Sequence, residues 1–191
     1  ELAKALHRRI VLPEGLDERT LEAAQLLTQR GIGEAVLLGP PDAIASLAKE
    51  RGVDLSGIDV IDPAVSPDAE RYAVQLYERR KAKGMTMEQA VETVRKDALY
   101  FGACMLSTGD VDVNVAGAVN ATSDVVRALI FCCGPAPGLK TVSSNFIMVS
   151  PHTEFGEQGG LLFADAGVVP NPTAEQLADI AITTADNAPL Y

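Results

Sequence analysis

The sequence has no tryptophan, few aromatic residues and only two histidines, His7 and His152. So few histidines disfavour a catalytic triad centred on histidine, and we expect both to be surface residues. The three cysteines are Cys104, Cys132 and Cys133, and they form no C-x-x-C pair. We interpret them as small buried hydrophobic residues. This argues against a zinc site or a disulfide framework and favours a reducing, cytoplasmic setting.

Long apolar runs and positive charge are also scarce. No stretch approaches the ~20 apolar residues that span a bilayer, and the first four residues are unlike a signal peptide. We therefore expect a soluble chain. Of the 191 residues, 26 are acidic and 16 are basic, which gives a formal net charge of −10. Such a surface repels polyanions, so neither nucleic acid nor a membrane is an expected partner, although paired arginines can still bind a small phosphate.

The sequence does contain short β-branched or apolar runs that alternate with longer helical patterns. This alternation is typical of βαβ units and predicts an α/β fold with a mainly parallel sheet. Strands are predicted at 9–12, 35–38, 58–61 and 111–116. Capping residues and glycine stops predict helices after Asp17, over 42–51, from Ser66-Pro67 to Gly84, from Thr86, from Asp97 to Gly109, and from about Asn120 to Cys132.

A run of glycine and proline at 134–138 cannot form regular structure. We place a domain boundary there, so that residues 1–138 form a first α/β domain. Residues 139–191 are predicted to contribute two strands, at 141–149 and 161–164, and one helix that begins at the capping box of Thr173. This is too little to close a second sheet. We interpret residues 139–191 as the truncated beginning of a second α/β domain.

The turn after the fourth strand is a candidate binding site. Ligands of open α/β sheets collect at the carboxyl ends of the strands, and a helix N-terminus offers N–H groups to an anion. The polar residues Asn120, Thr122 and Ser123 stand at this point. They are expected either to bind an anion or simply to cap the helix.

Basic residues in two segments are candidates for binding a phosphate. Arg127 lies four residues after Ser123, on the same helix face, and its partner is either Asp124 or a ligand phosphate. Residues 79–83 (RRKAK) form a basic cluster, although such charge runs are usually solvated helix faces.

Common catalytic and nucleotide-binding motifs are missing. The sequence has no P-loop, no G-x-G-x-x-G after a strand, no H-E-x-x-H and no G-x-S-x-G. Asp110, Asp112 and Asp165 adjoin predicted strands, but their spacing is too generic to predict a magnesium site.

Several segments, in the right order, resemble the phosphate acetyl/butyryl transferase family, and its acetyl-transferring members in particular. The resemblance covers essentially the whole chain. It is carried by residues 9–15 (RIVLPEG), 19–21 (RTL), 80–86 (RKAKGMT), 116–119 (AGAV), Thr122, Arg127, 136–138 (APG), 142–144 (VSS), 146–148 (FIM) and 174–182 (AEQLADIAI).

The resemblance implies a two-domain, three-layer α/β/α fold of the isocitrate/isopropylmalate dehydrogenase type, usually dimeric, with coenzyme A in the cleft between the domains. It implies the reversible transfer of an acetyl group between acetyl phosphate and coenzyme A. An aspartate takes the thiol proton, the thiolate attacks the acyl phosphate, and a serine and a basic residue stabilise the developing charge. Coenzyme A is a substrate here, and neither a cofactor nor a metal is implied.

The family's arginines that hold the coenzyme A phosphates fall on Arg80 and Arg127. The resemblance and the turn together give the expected substrate-binding residues Arg80, Arg127, Asn120, Thr122, Ser123 and Ser144. The family often has histidine where Asn120 stands and proline where Ala128 stands. Its catalytic serine and aspartate come well after the last predicted helix, so we assign no catalytic residue to this chain.

Three alternatives remain at this point. The chain could be a non-catalytic domain of a malic enzyme that binds acetyl-coenzyme A, and an upstream malic enzyme domain would favour this. It could be a metal- and NAD-dependent decarboxylating dehydrogenase of related architecture, but the required aspartate and basic sets are not visible. It could also be a phosphate butyryltransferase, because the acyl-chain length depends on pocket shape.

Overall fold

The computed structural model describes residues 2–190, with side chains from 4 to 189. The chain divides into two compact units, Glu1–Gly134 and Pro135–Tyr191. In the first unit the strands are β1 (Arg8–Leu12), β2 (Gly33–Leu38), β3 (Asp59–Ile61) and β4 (Val113–Asn114), and the helices are α1 (Leu2–Leu6), α2 (Glu18–Gln29), α3 (Pro41–Arg51), α4 (Ala69–Arg80), α5 (Met87–Lys96), α6 (Ala98–Thr108) and α7 (Thr122–Cys132).

The first unit is built on a four-stranded sheet in the order β3-β2-β1-β4. All three strand pairs are parallel, with Ile10 of β1 opposite both Ala35 of β2 and Val113 of β4. The predicted α/β fold with a parallel sheet is confirmed. The order reverses beside β1, because the chain adds β2 and β3 on one side and later adds β4 on the other. Such a reversal opens a crevice at the carboxyl ends of the two strands.

Both faces of this sheet are buried, which explains the nearly continuous apolar strands. Successive side chains of a strand point to opposite faces. Val11, Val36 and Leu38 pack with α4, α5, α6 and α7. Leu12 and Leu37 pack on the other face against α2 and α3. The unit therefore has three layers, with helices on both sides of the sheet.

At α2, α5 and α6, the sequence contains a capping residue and the predicted start of the helix agrees with the structure. Asp17 accepts hydrogen bonds from two N–H groups of the first turn of α2, and Asp97 accepts one from Leu99 at the start of α6. Thr86 and Gln89 form the predicted reciprocal capping box of α5. These signals lie within four residues of each other, so local sequence is enough to reveal them.

Several predicted boundaries in the first unit differ from the structure by two or more residues, and two of these differences have a clear structural reason. The fourth strand contains only Val113–Asn114 instead of residues 111–116, because only its β1 edge is paired and the chain then turns away. Helix α4 begins at Ala69 and not at Pro67. The N–H of Ser66 instead bonds to the carbonyl of Asp62, at 2.9 Å, in a turn that precedes the helix.

The second unit contains an antiparallel hairpin and a helix. Strand β5 (Asn145–Val149) pairs with β6 (Gly160–Ala164), and α8 is Ala174–Asn187. The strand predicted at 141–149 begins four residues late. Thr141 is buried, and its hydroxyl donates to the Asp179 carboxylate of α8 at 3.1 Å, which holds this segment as a loop. The predicted capping box at Thr173 is present.

Candidate functional site

Glu14 closes the crevice between β1 and β4. It lies two residues after the end of β1, beyond Pro13. Its carboxylate accepts hydrogen bonds from four successive backbone N–H groups, those of Gly117, Ala118, Val119 and Asn120, at 2.7–2.8 Å. The side-chain amide of Asn120 adds a fifth bond at 2.9 Å. Partial burial alone would raise the pKa of Glu14, but these hydrogen bonds outweigh it and lower the pKa to about 2. The turn is thus an anion-binding nest that the protein fills with its own carboxylate.

The sequence predicts that the start of helix α7, with Asn120, Thr122 and Ser123, either binds an anion or is simply capped by a side chain. The backbone N–H groups of residues 117–120, which precede the helix, already serve Glu14. The alternative of simple side-chain capping is wrong, because Ala121 occupies the N-cap position of α7. Thr122 and Ser123 begin the helix with exposed side chains. Their binding of substrate stays a prediction.

Arg19 ties the same turn to α2. Its guanidinium donates to the carbonyl of Ala118 at 2.5 Å and to the carboxylate of Asp17 at 2.9 Å. Glu14 and Arg19 therefore hold the turn from two sides. In the sequence, both residues stand only within segments that carry the family resemblance, and their role in the turn was not predicted. A carboxylate two residues after the first strand, at the edge of the sheet where ligands collect, was the available signal.

A cavity of about 620 Å³ opens beside this turn, at the carboxyl ends of β1, β2 and β3. Its walls include Leu16, Leu38 and Val119, and Arg95 and Lys96 stand among its polar residues. Arg95 donates to the carbonyl of Ala64 at 2.6 Å. The size lies within the range of small-molecule sites.

The second cavity, of about 480 Å³, contains Arg80. We call it the basic cavity, and its lining residues are Arg80, Lys83, Gly84, Met85, Gln89, Thr93 and Phe131. This set carries two cations and no carboxylate, in a chain whose formal net charge is −10. Such a lining favours an anionic ligand.

Arg80 is the last residue of α4, and its guanidinium carbon lies 3.7 Å from the centroid of the Phe131 ring of α7. The Phe131 ring in turn packs edge-to-face against Tyr100, with centroids 6.0 Å apart. Within the described part of the chain, the Arg80 side chain has no carboxylate within 4 Å. Its N–H groups are therefore left for water or a ligand.

Arg127 lies on the same face of α7 as Phe131, four residues earlier. Its guanidinium bonds to Asp124 at 3.2 Å, and the two side chains are 57% and 48% exposed. An exposed pair of this kind is worth at most about 1 kcal/mol, so a phosphate can replace the carboxylate at little cost. Burial raises the pKa of Tyr100, while the charges of Arg127 and Arg80 oppose that rise. Arg127 and Phe131, which contacts Arg80, therefore lie one turn apart on α7.

Ser144 belongs to the second unit and is bonded to Asp165. Its N–H and hydroxyl donate to the Asp165 carboxylate at 2.9 and 3.0 Å, and the N–H groups of Val168 and Val169 donate to the other oxygen. Burial acts to raise the pKa of Asp165, but the hydrogen bonds lower it to about 2. This carboxylate is therefore committed to the loop that follows β6.

Within residues 4–189, no three side chains of histidine, cysteine, aspartate or glutamate converge in a way that could hold a metal ion. None of the helices in the described part of the chain combines the length and apolarity that crossing a membrane requires. Cys104 and Cys132 are buried in the core as predicted, and Cys133 is half-buried.

The first unit combines a parallel α/β sheet with a cation-lined cavity among its helices, and clustered arginine and lysine side chains favour phosphate-bearing ligands. The chain belongs to the phosphate acetyl/butaryl transferase family, whose model matches residues 1–190. It is 47% identical to a phosphate acetyltransferase of Thermoanaerobacterium thermosaccharolyticum and 46% identical to one of Clostridium acetobutylicum, each over 98% of this chain and 56% of the relative. The chain thus spans about half the length of these curated relatives.

A solved structure has the same fold. The EutD phosphotransacetylase from Staphylococcus aureus superposes with a TM-score of 0.84 and 32% identity, over 98% of this chain and 56% of that one. The resemblance inferred from separate sequence segments is therefore confirmed at the level of the family.

Proposed function

We propose that this chain is the N-terminal part of a phosphate acetyltransferase, which transfers an acetyl group reversibly between acetyl phosphate and coenzyme A. The observation that carries the proposal is the match over 98% of the chain to relatives named for that activity. The basic cavity supports it, since coenzyme A presents several phosphate groups. The family description also includes butyryl transfer, but the names of these relatives favour acetyl.

In this proposal, Arg80, Lys83 and Arg127 bind the phosphate groups of coenzyme A. A guanidinium binds a phosphate through charge-assisted hydrogen bonds that a neutral side chain cannot replace. Arg80 suits this role because its donors are uncommitted within the described residues, and Arg127 because its exposed bond to Asp124 is easily exchanged. Asn120, Thr122, Ser123 and Ser144 are kept as further candidate contacts, although Asn120 and Ser144 also have structural partners.

The chemical step joins the thiol sulfur of coenzyme A to the acetyl carbonyl carbon. A base takes the thiol proton, the thiolate attacks, and the carbon–oxygen bond to phosphate breaks, so that inorganic phosphate leaves. Donors near the carbonyl oxygen stabilise the negative charge that develops there. We assign neither the base nor these donors to residues of this chain. No metal or separate cofactor takes part in this scheme, and its two substrates carry all the reacting atoms.

We further infer a cytoplasmic homodimer whose first domain comprises residues 1–138 and whose second begins at 139. Support for the division comes from the compact unit Glu1–Gly134 and from the glycine- and proline-rich segment that follows it. The absence of a C-x-x-C pair and of a disulfide framework supports a reducing compartment. Sedimentation of the full-length protein tests the dimer.

The decisive experiment measures thioester formation from acetyl phosphate and coenzyme A by the full-length protein. The proposal expects turnover with acetyl phosphate and slower turnover with butyryl phosphate. Turnover with neither would refute it, and faster turnover with the butyryl compound would assign the other activity of the family. The chain of residues 1–191 serves as the comparison, and we expect it to be inactive because we assign the catalytic base to none of its residues.

A further inference from the structure

Phe131 is the residue through which the fold fixes the position of Arg80. Arg80 ends α4, and a long side chain at a helix terminus ordinarily has many rotamers. Here its guanidinium carbon lies 3.7 Å from the centre of the Phe131 ring. A cation this close to an aromatic face is attracted to it, and the attraction does not use the N–H donors of the guanidinium.

The ring itself is held by a second aromatic side chain. Tyr100 of α6 packs edge-to-face against Phe131, with an interplanar angle of 76°. Tyr100 and Phe131 are both half-buried and pack against the main core of the first unit. The stack therefore connects the Arg80 guanidinium to the packed layer of α6 and α7, and the guanidinium does not simply extend into solvent.

Neighbouring cations are held differently. Lys81 bonds to Glu78, and Arg127 bonds to Asp124. A carboxylate partner competes with a phosphate for the same donors and lowers the net positive charge of the site. An aromatic partner fixes the cation and leaves both its charge and its donors available to a ligand. The basic cavity, which includes Phe131 and lacks a carboxylate, has this second arrangement.

We propose that Phe131 is a positioning residue, which stacks on Arg80 and holds its donors toward a phosphate group of coenzyme A in the basic cavity. The inference rests on the proposed function, because that function supplies the ligand. It adds a residue of α7 that touches no reacting atom and acts only through Arg80. Losing the stack should weaken coenzyme A binding about fivefold, since a partly exposed cation–π contact is worth about 1 kcal/mol.

The test is a set of variants in the full-length protein, assayed with acetyl phosphate and coenzyme A and, in parallel, by calorimetric binding of coenzyme A alone. Phe131→Leu should raise the KM and Kd for coenzyme A about fivefold, with kcat and the KM for acetyl phosphate unchanged. Phe131→Trp, which restores an aromatic face, should return both values to within about twofold of the wild type. Ile130→Ala, on the same helix but outside the basic cavity, is the matched control and should leave them unchanged.

A double-mutant cycle isolates the interaction between Phe131 and Arg80. In an Arg80→Gln background, Phe131→Leu should cause no further rise in KM, because the cation it positions is gone. An undiminished rise in that background would overturn the inference, as would an unchanged or lower KM for Phe131→Leu alone. A lower KM would mean that the stack competes with the ligand. If the wild-type protein forms no thioester and binds no coenzyme A, the proposed function fails, which is distinct from failure of the Phe131 variants in an active protein.

Discussion

Glu14 offers the sharpest test of the structural interpretation, through the substitution Glu14→Gln. The side chain keeps its size, but it loses the negative charge that five N–H groups converge on. In glutamine, an NH₂ group replaces one of the two carboxylate oxygens, so that a hydrogen-bond donor faces the N–H donors of the turn. Each of the four turn N–H groups then has a weaker acceptor or none, while the crevice between β1 and β4 keeps its shape.

The expected loss of stability follows from the pKa of Glu14. Its value falls from an ordinary 4.5 to about 2 in the folded protein. A lowered pKa means that the charged form stabilises the fold, by about 3 kcal/mol at neutral pH, and solvent screening of this partly exposed group reduces that to about 2 kcal/mol. This stabilisation is complete above pH 4.5. It is lost as the pH falls toward 2, where the carboxyl group becomes protonated.

The assay is denaturant unfolding of the full-length wild type and Glu14→Gln, at pH values from 7 down to 3. We expect Glu14→Gln to be less stable by about 2 kcal/mol at pH 7, with the gap narrowing steadily below pH 4.5. Glu22→Gln, at an exposed position of α2, is the control and should show no such gap. Equal stability of Glu14→Gln and wild type at pH 7, or a gap that does not change with pH, would refute the role assigned to the carboxylate.

The remaining predictions concern one binding residue and two structural contacts. Arg127→Ala in the full-length protein should raise the KM for coenzyme A about tenfold with kcat little changed, because a charge-assisted phosphate contact is lost. Thr86→Ala should cost about 1 kcal/mol in unfolding free energy, because the N–H of Gln89 loses its capping acceptor. Tyr72→Phe should cost about 1–2 kcal/mol, because it removes a 2.7 Å bond to the Asp110 carboxylate.

The predictions for Arg127, Thr86 and Tyr72 can each be contradicted by a specific result. An unchanged KM for Arg127→Ala would remove this residue from the coenzyme A site. Thr86→Ser keeps the capping hydroxyl and should behave as wild type, so equal losses in Thr86→Ser and Thr86→Ala would rule out capping as the cause. A neutral Tyr72→Phe would mean that Arg71 and Thr108, which also bond to Asp110, are sufficient partners for this carboxylate.

The parts of the fold that local sequence determines were predictable. The caps of α2, α5, α6 and α8 depend on residues within four positions of each other, and strands buried on both faces are apolar without alternation. The length of β4 was not predictable, because it depends on which neighbours the strand finds. Likewise, the start of α4 depends on a turn that Asp62 and Ser66 form, and Pro67 alone gave the wrong boundary.

The sequence indicated two arginines and a turn of the candidate site, but it did not indicate which other side chains contact them. Arg80 and Arg127 follow from the family resemblance, and the turn at 117–123 follows from its place after a strand. The occupation of that turn by Glu14 joins residues more than 100 positions apart. The stack of Arg80 on Phe131 also joins two separate helices. No periodicity or spacing in the sequence indicates such pairs, because they arise only when the layers pack.

The parallel pairing of β1 with β4 also has a consequence for synthesis of the chain. Val11 can pair with Asn114 only after the ribosome has added about 100 further residues, which takes about 5–20 s at ordinary elongation rates. Until then, one edge of β1 has unpaired backbone groups, and Glu14 lacks its partners. An open apolar strand edge invites pairing with other chains. The nascent protein should therefore be most prone to aggregate in the interval between emergence of β2 and emergence of β4.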